Sequence, residues 1–124
     1  AGHDAPLRLR GATRHEWLPV QAGPALGFEP DADYPEWRGR LSVGDSMVAF
    51  TDGVTEAADT SGTLFGTERL EGALVDCDAG TAHALAGVLQ GAVRRFEGDA
   101  PPSDDLTVLV LRYLPEARDH AAAA

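Results

Sequence analysis

The chain has 124 residues, a formal net charge of −10 and 44% hydrophobic residues. That length fits one domain, and the apolar content is enough to bury a core, which excludes wholesale disorder. The acidic balance excludes nonspecific nucleic-acid binding, because no surplus of cations is available to displace phosphate counterions. The single Cys77 excludes an intramolecular disulfide and points to a reducing compartment, hence a cytoplasmic location. No stretch approaches ~20 apolar residues, so no membrane span is expected, and no signal peptide is visible.

In chain order the pattern is α/β. Pro6 to Arg10 alternates apolar and basic residues, as a strand with one exposed face does. Residues 11 to 40 hold four prolines and several glycines; short strands are expected around Trp17–Val20 and Glu36–Leu41. Gly44-Asp45 reads as a turn, with the aspartate completing it, and leads into a buried strand over 47–51. Residues 54 to 66 read as a loop or helical turn ending near Gly62, and residues 67 to 75 as a short helix through Leu70, Leu74 and Val75. The strongest helix signal is 81–97. There Leu85, Val88, Leu89, Ala92, Val93 and Phe96 repeat at helical spacing, with Thr81 or Asp78 as N-cap. That face is core, not a cofactor box. Gly98 to Pro102 ends the helix, Asp105 to Tyr113 forms the last strand, and residues 115–124 form a flexible tail.

Chemistry is concentrated where two apolar strands meet aspartate. The first motif is Met47-Val48-Ala49-Phe50-Thr51-Asp52-Gly53-Val54-Thr55-Glu56-Ala57, and the second is Ser103-Asp104-Asp105-Leu106-Thr107-Val108-Leu109-Val110-Leu111. A carboxylate at a strand end is held by a rigid element yet faces a cleft, which suits a hard cation. Two such carboxylates brought together would repel by about 4 kcal/mol at ~4 Å with an effective dielectric near 20, and a divalent ion would reverse that penalty. The bland alternative is that both are turn residues, since Asp-Gly is a common turn dipeptide. His3, His15, His83 and His120 have no metal-ligand spacing. Neither Cys77 nor any serine sits in a nucleophile motif. A haloacid-dehalogenase reading of Asp52-Gly53-Val54-Thr55 fails, because position 54 is Val where a second Asp is needed.

With their flanks, these motifs resemble the PPM/PP2C-type phosphatases of the bacterial SpoIIE/RsbU group. The resemblance is carried by Ala1-Gly2-His3-Asp4-Ala5-Pro6-Leu7, by Gly23-Pro24-Ala25-Leu26-Gly27-Phe28 with Pro30-Asp31-Ala32-Asp33-Tyr34, by Leu41 to Ala57 with Gly62-Thr63-Leu64-Phe65-Gly66, and by the Asp104-Asp105-Leu106-Thr107 strand. It runs in order from residue 1 to about residue 113. It implies an α/β (α+β) fold, a PPM-like antiparallel β-sandwich flanked by helices, with residues 1–114 as its C-terminal half. The half that carries the family's Gly-Asp motif and its further metal ligands would precede it. It also implies a Mn²⁺ or Mg²⁺ site with Asp52 and Asp104 as ligands, and no phosphoenzyme.

Around those ligands Gly53 would permit the turn that aims Asp52, and Asp105 would support Asp104 by a hydrogen bond. Thr107 would add another hydrogen bond or simply serve strand propensity. Glu56 is assigned a helix-end or surface role, with a place near the cleft as the alternative, and His3 packing or hydrogen bonding. The implied partners are a phosphoserine or phosphothreonine protein, such as an anti-sigma-factor antagonist, and an upstream sensor domain; a dimer is compatible with the resemblance. Two other readings stay open: a phosphatase-like interaction module without catalysis, and a generic α/β domain whose acidic turns are structural. If the shared ion is real, strands 47–51 and 105–113 must be antiparallel neighbours, with ligand oxygens within roughly 4 Å of each other.

Overall fold

The computed structural model describes residues 3–11, 13–75, 77, 79–102 and 104–116. Ala1, Gly2, the alternative cap Asp78, Ser103, His120 and the tail from 117 onward lie outside the described residues. Seven elements follow one another: β1 Leu7–Arg10, β2 Arg14–Trp17, β3 Ser46–Phe50, α1 Asp52–Thr55, α2 Gly66–Leu74, α3 Ala82–Glu97 and β4 Val108–Arg112. The strands form one antiparallel sheet in the order β2-β1-β3-β4.

The register sorts side chains by face. Leu7 lies opposite both Trp17 and Val48, Val48 opposite Val110, and Phe50 opposite Val108. These residues share one face, and α2 and α3 cover it with Leu70, Leu74, Leu85, Leu89 and Val93, with Phe96 packed at the margin. Each large side chain buried there contributes roughly 1.5–3 kcal/mol before the entropy of ordering it. The helical repeat expected over 81–97 is thus the inner face of α3. The α3 N-cap is Thr81, whose Oγ1 accepts the Ala84 N–H at 3.1 Å.

The opposite face is divided. Over β3 and β4 it stays open, with Leu109 65%, Leu111 46% and Tyr113 47% exposed. Over β1 it is closed at Arg8, only 5% exposed, which corrects the expectation of a solvent-facing basic residue there, whereas Arg10 is exposed as expected. The chain from Arg40 to Asp45 folds across it. Arg8 Nη2 donates to Asp45 Oδ2 at 2.6 Å and to the Arg40 carbonyl at 2.7 Å, while Nη1 reaches Glu16 Oε1 at 3.2 Å. Asp45 does complete its turn, accepting the Ser42 N–H at 2.9 Å.

This clamp also explains two displaced strands. Residues 36–41 form no strand, because the Arg40 carbonyl serves Arg8 and the Trp37 ring folds over Gly39, where a Cβ would meet ring carbon at 2.1 Å. The strand expected at 17–20 is instead β2, Arg14–Trp17, since β1 and β2 turn back at Gly11 and Pro19 cannot extend a ladder as donor.

Burial pushes the Asp45 carboxyl up, but the Arg8 hydrogen bond, the Ser42 N–H and the charges of Arg8 and Arg10 outweigh it and hold it below its ordinary value. A depressed folded pKa contributes stability above the unfolded value, and that contribution is lost as pH falls through the folded one. Asp45→Asn leaves the buried Arg8 with only the half-exposed Glu16 as counter-charge, and should lower Tm at pH 7 by about 10 °C. The gap between variant and wild type should narrow below about pH 4; a pH-independent gap in thermal melts would show that the charge contributes nothing.

Candidate functional site

Beyond the last β3–β4 rung, Phe50 opposite Val108, the ladder is continued by a side chain. The Thr51 N–H donates to the Thr107 carbonyl at 3.1 Å, and Thr51 Oγ1 accepts the Thr107 N–H at 3.1 Å. The same hydroxyl donates to the Asp105 carbonyl at 3.3 Å. Residues 104–107 are therefore tied to the end of β3 rather than extending β4, which is why that strand starts at Val108 and not at 105. Thr107 acts here through its main chain, and Thr51 is its partner, a role not visible from sequence spacing.

Gly53 supplies the second tie. It lies inside α1 and not in a left-handed turn, so the expected turn-making role is corrected. What matters is its missing side chain: a Cβ there would lie 2.3 Å from the Asp105 carbonyl oxygen and 3.0 Å from its carbon. The two acidic turns pack backbone to backbone, and only glycine permits that contact. The structure thus places Asp105 in a main-chain role, its carbonyl against Gly53 and its N–H donated to Asp104 Oδ1 at 2.7 Å. Asp52 Oδ1 likewise accepts the Gly53 N–H at 3.0 Å. Each aspartate uses one oxygen in this way, and among the described residues the other accepts no hydrogen bond.

The surroundings differ. Asp52 lines a hollow of about 470 Å³ together with His3, Asp4, Thr55, Glu56 and Thr67. Asp104 and Asp105 line a separate hollow of about 550 Å³ with Gln90, Arg94, Glu97 and Leu106. The fold brings the two turns together, then, but Asp52 and Asp104 line different hollows. Glu56 caps α1 through its N–H, donated to the Asp52 carbonyl at 2.8 Å, as the helix-end expectation has it, and also lines the Asp52 hollow. Asp4 escaped the sequence reading. Its signal is register: β1 pairs with β3 so that the residues before Leu7 fall beside those after Val48.

The loop that follows α1 is held by its own hydrogen bonds. Asp59 Oδ1 accepts the Ser61 hydroxyl at 2.6 Å, the Ser61 N–H at 2.8 Å and the Thr63 N–H at 3.0 Å. The Ser61 hydroxyl and these amides hold the Asp59 carboxyl below its ordinary pKa. Ala58 bridges to Leu64, and Phe65 then enters the core against Phe96 at 5.5 Å between ring centroids.

Among the described residues, Asp4, Asp52, Glu56, Asp104 and Asp105 make no ion pair. No group of three or more His, Cys, Asp or Glu close enough to hold a metal occurs among those residues either. Exposed, unneutralised, oxygen-only donors suit a hard divalent cation. As a ligand set they fit one as contributors, not as a complete cage.

The site thus consists of an antiparallel sheet carrying helices on one face, with paired acidic turns at the ends of two adjacent strands. The chain superimposes on the structure of the phosphatase domain of the cell fate determinant SpoIIE from Bacillus subtilis with a TM-score of 0.65 and 21% identity, covering 92% of this chain and 50% of that one. On a Mn-presoaked structure of the same domain the TM-score is 0.69 at 20% identity, covering 94% and 49%. The chain belongs to the SpoIIE (stage II sporulation protein E) family, whose model matches residues 1–114. It is also 26% identical over 111 residues to Protein IcfG of Synechocystis sp., covering 90% of this chain but 17% of that protein. It therefore spans about half of the solved domains and a small part of the curated relative. The expected fold, half of a SpoIIE-type domain, is what the structure has.

Proposed function

We propose that this chain is the C-terminal half of a cytoplasmic, divalent-metal-dependent protein serine/threonine phosphatase, in which Asp52 and Asp104 hold Mn²⁺ or Mg²⁺. The observation that carries the reading is the contact of Gly53 with the Asp105 carbonyl, which locks two unneutralised acidic turns side by side. Such a contact has a cost in sequence freedom that a pair of solvated turns would not require. When bound, a divalent pair supplies an acidified water for in-line attack on phosphorus and neutralises the phosphoryl oxygens.

The chain's own residues prepare that chemistry. Asp52 and Asp104 each use one oxygen to hold a backbone amide, which leaves a second carboxylate oxygen on each for a cation. Thr51 and Gly53 fix the spacing of the two turns before any ligand arrives, which is the preorganisation such catalysis needs. The substrate is a phosphoserine or phosphothreonine on a protein, an anti-sigma-factor antagonist in the reading the family suggests, with a sensor domain upstream as regulator.

The direct test is metal reconstitution of the complete domain. Hydrolysis of a phosphoserine peptide or p-nitrophenyl phosphate should vanish in excess chelator and return with Mn²⁺ or Mg²⁺; undiminished turnover in chelator would sink the metal mechanism. The 124-residue chain alone should be inactive and bind Mn²⁺ weakly, because two carboxylates leave most of an octahedral ion to water. Turnover by the isolated chain equal to that of the complete domain would mean that the ligands have been misplaced.

A further inference from the structure

The two most exposed large apolar side chains among the described residues are Leu26 and Phe28, each 78% exposed. They stand on a formed tip. The Phe28 N–H donates to the Ala25 carbonyl at 3.2 Å across Gly27, whose φ of 80° suits such a turn, and the Tyr34 hydroxyl donates to the same carbonyl at 3.3 Å. Glu29, Asp31 and Asp33 follow, and no basic residue lies between Pro24 and Tyr34. The tip is apolar with an acidic border. Nearby in the chain, on the side of the sheet away from α2 and α3, is a hollow of about 470 Å³. Leu18, Trp37, Leu41 and Met47 give it an apolar lining, and Arg38 and Arg40 add positive charge. Among the described residues Arg38 pairs only with the exposed Glu36, and the Arg40 side chain pairs with nothing.

We infer that two copies of the complete domain associate through this face, the Leu26–Phe28 tip of each seating in the Trp37 hollow of the other. Charge decides the occupant. With a net charge of −10, two copies repel except where a basic patch meets an acidic one. The acid-bordered tip and the arginine-lined hollow match in apolar character and are opposite in sign, which fixes the register of an encounter. An exposed pair such as Arg38–Glu36 holds little, so Arg38 is available to a partner. The tip does not fill the hollow of its own chain, since Leu26 and Phe28 both stay exposed. The room is sufficient, because clefts of roughly 300–1,000 Å³ take whole drug-sized ligands. All these residues belong to one stretch, 18–47, so a two-fold axis engages both tips and closes the assembly at two copies. The inference stands apart from the phosphatase reading, for it calls on no metal and neither acidic turn.

The experiment is sedimentation velocity of the complete domain from about 1 to about 100 µM, the range in which a modest interface dissociates. Wild type should pass from one copy to two. Phe28→Ser should weaken the dimer by at least about tenfold, as loss of a central aromatic anchor does. Two charge-reversed variants supply the sharper test. Arg38→Glu with Arg40→Glu, and separately Asp31→Arg with Asp33→Arg, should each abolish self-association, because tip and hollow then carry like charges. Mixed together, the two variants should pair one to one, since each tip then meets a hollow of opposite sign. All five positions are exposed, so the fold should survive, and thermal melts check it. A complete domain that stays a single copy throughout, its hollow covered by the other half of the domain, overturns the inference. So does a dimer indifferent to Phe28→Ser, or a mixture of the two charge variants that fails to pair. Growth beyond two copies overturns the two-fold arrangement.

Discussion

Replacing Asp52 or Asp104 by Asn should reduce metal-dependent phosphatase activity of the complete domain by at least ~10²-fold, since two-metal hydrolysis depends on carboxylate ligands. The amide keeps a carbonyl oxygen where each aspartate now accepts its neighbour's N–H, at 3.0 Å from Gly53 and 2.7 Å from Asp105. What it removes is the negative charge. The local turns should therefore survive, and melting curves should stay close to wild type while Mn²⁺ affinity falls. Steady-state kinetics with saturating Mn²⁺, alongside thermal melts, separate the two effects. A variant that melts normally and keeps more than a tenth of the activity would remove that aspartate from the ligand set. Both variants behaving so would favour the reading of these turns as structural.

Gly53→Ala should be nearly as damaging by a different route. The added methyl carbon would sit 2.3 Å from the Asp105 carbonyl oxygen, and the obstacle is backbone, not a flexible side chain. Either α1 tilts or the 104–107 segment lifts off the end of β3. Overpacking of this kind costs about 1–3 kcal/mol, and it breaks the Thr51 hydrogen bonds to Thr107 and Asp105 along with it. We expect a lowered Tm and activity reduced by about 10²-fold, because displacement of a positioned ligand by even 1 Å is costly to catalysis. Thr51→Val is the milder companion. It removes the hydroxyl that closes the ladder while keeping the main-chain bond at 3.1 Å, so its effect should be smaller. Full activity and wild-type stability in Gly53→Ala would show that the contact between the turns is irrelevant.

Both predictions concern a site that local sequence reading found only in outline. Asp52 and Asp104 stood out because each adjoins an apolar strand, and that adjacency is encoded within a few residues. The antiparallel neighbouring of the two strands was also legible, since a shared ligand dictates which ends must meet, and β3 and β4 do pair from Ser46–Arg112 to Phe50–Val108. The inward face of α3 was read from its period alone.

Other features depended on contacts between residues far apart in the chain. Arg8 looked like the solvent side of an amphipathic strand. It is buried because Asp45 and Arg40, some thirty-odd residues on, fold over it as charge partner and acceptor. Gly53 looked like a turn glycine, because Asp-Gly so often is one. Its reason for being glycine is a carbonyl 52 positions later in the chain, at Asp105. His3 and Asp4, nearly fifty residues before Asp52 in the chain, share a hollow with it only in the folded sheet. Periodicity and turn chemistry act over a few residues and so are written locally, which let the sequence by itself determine the buried strand before Asp52, the core face of α3, the family and the two acidic strand ends. Register and close backbone approach exist only once the sheet has formed, and so the tertiary structure alone decided which carboxylates, hydroxyls and imidazole meet at the ends of those strands.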